Sequence, residues 1–176
     1  MLKACLNGGL SRTEHPAVPV TPVDLARDAV AAARAGASAF HVHPRRADGR
    51  ESLAPEHIGA AVSAIRARVP GLPVGVSTGW WIPPGGEARR ADIARWSPRP
   101  DSAPDFASVN VGEPDWREVA ASLTGLGVAW EAGIWSLADL RRFLDGPRPP
   151  GCLRILVEMT SDDPAEALAE AHAVLG

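Results

Sequence analysis

The sequence predicts an α/β barrel of the TIM, or (β/α)8, type, with about six βα units in the 176 residues. Three observations lead there. Short apolar runs alternate six times with helix-like stretches, which argues for parallel strands joined by crossover helices. Polar residues gather at the C-terminal ends of nearly all the runs, where a barrel converges on one mouth. An open doubly wound sheet also fits the alternation. Its polar residues, however, would cluster mainly at one switch point, and neither G-x-G-x-x-G nor G-x-x-x-x-G-K-[ST] is present.

The first run, Lys3 to Gly8, carries Asn7 near its end. Thr21-Pro22 then signals an N-cap with proline in the first turn, Asp24 sits where a capping-box acid belongs, and Gly36 stops the helix. The second run, Ala39 to Pro44, contains His41 and His43. From Pro55 onward Ile58, Val62, Ile65 and Val69 recur at spacings of three and four, one helix face. The third run, Pro73 to Thr78, ends in Ser77 and Thr78, and a helix is predicted over about Glu87 to Trp96. The fourth, Phe106 to Val111, carries Ser108 and Asn110 and precedes a helix from Trp116 to Leu126. The fifth, Val128 to Gly133, carries Glu131; Ser136 caps a helix bearing Leu137, Leu140, Phe143 and Leu144. The sixth, Arg154 to Met159, carries Glu158. Asp163-Pro164 with Glu166 opens a last, alanine-rich helix reaching Gly176. All of it reads as one domain over 1–176. A complete barrel takes about 250 residues, so this one is expected to be C-terminally truncated by two units.

Composition is that of a soluble globular protein, with 45% hydrophobic and 22% charged residues. A net charge of −3 argues against a basic nucleic-acid surface. No apolar run approaches the roughly 20 residues of a membrane span, and the N-terminus lacks secretory features. Cys5 and Cys152 are too few for a disulfide framework and are expected to be small core residues. A cytoplasmic location follows by default.

His41 and His43 are one residue apart in a strand and so share a face, with Phe40 and Val42 on the other. Two imidazoles about 6–7 Å apart can converge on one divalent ion, zinc being the best match to the ligand type. The competing interpretation is a pair of hydrogen-bonded core histidines. A catalytic zinc normally has three protein ligands. Glu131 and Glu158, at run ends, are candidates for the third and equally for structural hydrogen bonding. His57 reads as a helix surface residue, His15 as a loop residue and His172 as solvated. Four of the six tryptophans, Trp80, Trp81, Trp130 and Trp135, fall near predicted strand ends.

These residues resemble the β-keto acid cleavage enzymes, whose founding activity acts on 3-keto-5-aminohexanoate. The carrying segments are "HVHPRRADGRES", "PAVPVTPVDLARDA", "VSTG", "FASVNVG" and "VAWEAGIW", in the family's order. The resemblance implies a zinc-binding (β/α)8 barrel, small-molecule partners rather than nucleic acid or membrane, and a homo-oligomer. It implies a reaction in which a β-keto acid and acetyl-CoA become acetoacetate and a new acyl-CoA. Under it His41 and His43 are zinc ligands, Ser77, Ser108 and Glu131 belong to the catalytic pocket, and Asn110 and Arg45 meet substrate. The family's last strand carries a glutamate ligand, an aspartate base and an arginine, and nothing in the 176 residues matches them. "STGWW" places Trp80 and Trp81 where the family has a glycine and its neighbour, which implies a different substrate. Two alternatives stand beside this expectation: a metal-dependent barrel hydrolase, and an inactive truncated metal-binding domain.

Overall fold

A computed structural model describes residues 1–97 and 99–175. Six strands, β1 (Lys3–Cys5), β2 (Ala39–Val42), β3 (Val74–Ser77), β4 (Phe106–Asn110), β5 (Ala129–Ile134) and β6 (Cys152–Val157), form one sheet in sequence order. Every neighbouring pair is parallel. Helices α1 (Pro22–Arg34), α2 (Pro55–Arg68), α3 (Arg89–Ile93), α4 (Trp116–Gly125), α5 (Leu137–Leu144) and α6 (Pro164–Leu175) follow the strands in turn. Sequential order without reversal is barrel topology and excludes a doubly wound switch point.

The sheet curls strongly. Lys3 Nζ on β1 lies 2.6 Å from Glu131 Oε2 on β5. In a flat sheet with about 4.8 Å between strands, β1 and β5 would stand ~19 Å apart. The molecule is therefore an arc of a TIM-type barrel whose concave face is the barrel interior.

Strand alternation sorts the residues as period two requires. Phe40, Val42, Val74, Val76, Ala107 and Val109 face outward into a core shared with Leu25, Ile58, Val62 and Ile65 of α1 and α2. Thr21 caps α1: its hydroxyl accepts from Asp24 N and the Asp24 carboxylate accepts from Thr21 N. The Asp163 carboxylate likewise accepts from Ala165 N and Glu166 N at the start of α6.

Several expectations change. Cys5 and Cys152 are exposed, not core residues. Ala4 of β1 and Leu6 just after it take the outward positions, so Cys5 faces the concave cavity. Cys152 opens β6, which among the described residues pairs only with β5 and leaves Leu153 and Ile155 exposed as well. β6 begins two residues earlier than its apolar run, because Trp130 N donates to Gly151 O and a register shift at Trp130/Glu131 absorbs the difference. The helix expected over Glu87 to Trp96 contracts to a 3-10 turn, Gly86–Ala88, followed by α3. Trp130 is not at the mouth: it packs on the outer face with Trp116 and Phe143, ring centroids 6.0 and 6.4 Å away. On α5, Phe143 is buried while Leu137 and Leu144 are exposed. Gly176 lies outside the described residues.

Candidate active site

The C-terminal ends of the strands open onto a cavity of about 560 Å³ on the concave face. Lys3, His41, His43, Ser77, Ser108 and Asn110 contribute to its lining, together with Trp81, Trp135 and Glu158. The inward alternation of β2, β3 and β4 puts them there: Ser77 on β3 pairs directly with Ser108 on β4.

His41 and His43 meet edge to face, ring centroids 5.1 Å apart. Both are buried, and His41 Nδ1 has no hydrogen-bond partner. Burial, with smaller contributions from His43 and Lys3, pushes the His41 pKa down to about 3. Its imidazole is thus neutral, the form that ligates metals. His43 is held more tightly. Asn7 Oδ1 accepts from its backbone N–H at 2.8 Å, and Asn7 Nδ2 donates to its carbonyl at 2.8 Å. Its Nδ1 contacts Glu51 Oε1, while Glu51 Oε2 accepts from Trp81 Nε1 at 3.0 Å. Burial opposes ionisation of Glu51, but the contacts with His43 and Trp81 hold its carboxyl below the usual range. The sequence pattern missed Glu51. It reaches His43 because the Arg46–Arg50 turn folds the chain back, giving an antiparallel bridge between Arg45 and Glu51.

Two buried imidazoles, one with an unpartnered nitrogen, fit part of a zinc-type donor set. Among the described residues no group of three His, Cys, Asp or Glu side chains is arranged to hold a metal ion. The histidines would therefore supply two ligands and not a whole site.

The other expected residues fall in distinct places. Ser77 Oγ accepts from Gly79 N at 3.2 Å, which leaves its proton free to donate. Asn110 Nδ2 donates to Glu113 Oε1 at 2.8 Å, and its Oδ1 accepts from Trp135 Nε1 at 3.1 Å. Glu113 belongs to a buried network around Arg89, whose guanidinium also binds Asp115 at 2.9 Å. Arg45 donates to the carbonyls of Gly8, Leu10 and Gly49, tying the β1–α1 loop to the turn after β2. It is buried and is not part of the cavity lining. Glu131 is fully buried beneath the cavity, between Lys3 at 2.6 Å and Arg154 at 2.9 Å. Lys3 and Arg154 both lie over the Phe106 ring, 5.7 and 5.5 Å from its centroid. Glu158 borders the cavity, and burial raises its carboxyl pKa against an opposing pull from Lys3. His15, His57 and His172 stand outside the cavity lining.

Sequence and structure comparisons place this geometry. The chain is 33% identical over 113 residues to a 3-keto-5-aminohexanoate cleavage enzyme of Fusobacterium nucleatum subsp. nucleatum, covering 64% of this chain and 39% of that protein. It is 34% identical over 80 residues to a 3-oxoadipate:acetyl-CoA acetyltransferase of Cupriavidus necator, covering 45% of this chain and 28% of that protein. The matched stretches thus span well under half the length of these relatives. Among solved structures, ObcA bound to oxaloacetate superposes with a TM-score of 0.61 at 18% identity, over 86% of this chain and 40% of that one. A 3-dehydroquinate dehydratase of Aquifex aeolicus VF5 superposes with a TM-score of 0.53 at 17% identity, over 100% of this chain and 75% of that one. These two likenesses bear on the fold alone. A family model described as "beta-keto acid cleavage enzyme" matches residues 1–169, and the chain belongs to that family.

Proposed function

We propose that the chain carries most of the active site of a zinc-dependent β-keto acid cleavage enzyme using acetyl-CoA. The observation that carries this is the buried, neutral His41 beside His43, both facing a cavity lined by Ser77, Ser108 and Asn110. The bond between the keto carbon and the CH2–carboxylate unit breaks. That unit joins the acetyl carbon to give acetoacetate as the acetyl–sulfur thioester bond breaks, and the remaining acyl group takes the acetyl's place on the CoA sulfur.

His41 and His43 would hold the ion, which supplies Lewis-acid polarisation of a carbonyl oxygen when bound. The free Ser77 proton points to a donor for an oxygen that gains negative charge. Ser108 adds a second hydroxyl on the same wall, and Asn110 keeps one N–H after serving Glu113. Lys3, seated on the cavity floor by Glu131, supplies positive charge for a substrate carboxylate. Glu131 then acts by holding Lys3 and Arg154, and Arg45 by shaping the rim. Trp81 and Trp135 narrow the entrance, consistent with a substrate other than 3-keto-5-aminohexanoate. We place the protein in the cytoplasm as a homo-oligomer acting on small molecules.

The test is incubation of the zinc-supplemented whole protein, with the remaining barrel units that complete the site, with acetyl-CoA and a panel of β-keto acids, followed by mass spectrometry. Acetoacetate and a matching acyl-CoA are expected in equal amounts, and His41→Ala should abolish both. Product formation without acetyl-CoA would favour the hydrolase alternative. No product from that whole protein with any acid of the panel would refute the proposal.

A further inference from the structure

We propose that Glu51 is a positioning residue that sets the tautomer of His43 and the pose of Trp81 together, so that one carboxylate aligns both the metal-facing nitrogen and the substrate-facing wall. The inference deepens the metal-site reading above and rests on it only for its zinc arm.

The argument is one of donors and acceptors. An indole Nε1–H can only donate, so Glu51 Oε2, 3.0 Å from Trp81 Nε1, is an acceptor. The other oxygen, Oε1, faces His43 Nδ1. An ionised carboxylate has no proton to give, so the shared hydrogen sits on Nδ1 of His43. A neutral imidazole protonated at Nδ1 has its lone pair on Nε2. That is the tautomer whose Nε2 ligates a metal, and a carboxylate behind a ligating histidine is a recurring way to fix it. The backbone of His43 is already clamped by Asn7 on both its N–H and its carbonyl, so the ring is the remaining freedom, and Glu51 removes it.

The same carboxylate holds Trp81. This indole is 53% exposed, and it borders both the main cavity and an adjoining groove of about 440 Å³ that also touches Trp80 and Trp135. A half-exposed tryptophan with no polar tether would sample several rotamers. Anchored through Nε1, it presents one face to the cavity.

Side-chain nitrogen NMR of the metal-free, 15N-labelled protein tests the first half without any metal. His43 is expected as the Nδ1–H tautomer at pH 7.5. Glu51→Ala should return it to a mixture dominated by Nε2–H. Glu51→Gln has one acceptor oxygen for two donors, so with Trp81 holding that oxygen its NH2 faces His43 Nδ1 and should also favour Nε2–H, whereas Glu51→Gln combined with Trp81→Phe frees the oxygen and should restore Nδ1–H. A wild-type His43 that is Nε2–H or fully protonated, or a tautomer unchanged in Glu51→Ala, overturns the proposal. Zinc titration supplies the second arm. Glu51→Ala is expected to weaken zinc binding about 10- to 100-fold. Glu51→Ala combined with Trp81→Phe should weaken it no further, because both act through one carboxylate. Equal affinity in wild type and Glu51→Ala also overturns it. Zinc binding that His41→Ala leaves unchanged refutes the metal-site reading instead, while the tautomer result still decides the role of Glu51.

Discussion

Replacing Arg89 with methionine should be among the most damaging single changes in this chain. Arg89 is fully buried. Its guanidinium meets Glu113 at 2.6 Å and Asp115 at 2.9 Å, and donates to the carbonyls of Thr78 at 2.8 Å and Gly86 at 2.9 Å. It also lies 4.8 Å from the centre of the Trp80 ring. Methionine fills much of the same space but leaves the buried Glu113 without its counter-charge and Asp115 with only the more exposed Arg90, whose Nε is 3.5 Å away. Breaking a buried pair in this way costs about 3–5 kcal/mol. With an m value of about 2 kcal/mol/M in urea, the midpoint should fall by ~2 M. Arg89→Lys should recover little, because an ammonium cannot reproduce the fork that serves two carboxylates and two carbonyls. The cause is separable. Adding Glu113→Gln and Asp115→Asn to Arg89→Met should restore part of the loss, since no uncompensated charge remains. A loss below about 1 kcal/mol in Arg89→Met, or no recovery in the triple variant, would refute the reasoning. The site should register the change as well: Glu113 also accepts from Asn110 Nδ2 and Trp80 N, so a displaced Glu113 releases Asn110 from its pose.

Acidification should act through His41. Its folded pKa of about 3 lies below the ordinary value of 6.5, so the unfolded chain takes up a proton that the folded chain refuses. The stability present above pH 6.5 is therefore lost as pH falls from 6.5 toward 3, by up to about 4–5 kcal/mol. Urea midpoints measured across that window should show this dependence, and His41→Leu should flatten it. Gly75→Ala should cost about 1–3 kcal/mol, because the added Cβ would lie 2.0 Å from the Phe106 ring that supports Lys3 and Arg154; thermal unfolding reads it. Thr21→Ala removes one arm of the α1 capping box and should cost about 1 kcal/mol in the same assay.

Much of the architecture was legible because it rests on local rules. Thr21, Ser136 and Asp163 mark helix starts through hydrogen bonds that span three residues or fewer. Strand period two assigned His41 and His43 to one face and Phe40 and Val42 to the other, and burial agrees. The gathering of His41, Ser77, Ser108 and Asn110 on one cavity followed from the same rule applied strand by strand. Helix α3 was harder to bound, since the side chain of Arg89 turns inward to partners on other elements.

By itself, then, the sequence determined six βα units, their parallel order, the capping of the helices and the strand-end set that forms the cavity. These follow from hydrophobic period and from contacts between near neighbours along the chain. Tertiary structure alone decided what each polar group is committed to. Lys3 meets Glu131 across 128 positions, and Arg45 reaches back 37 to Gly8. Glu51 folds onto His43 and touches Trp81 30 residues away. Hydrogen bonds and ion pairs are short-ranged in space and indifferent to separation along the chain. A spacing pattern can bring a residue to the mouth of a barrel, but only the curl of the sheet determines its partner there.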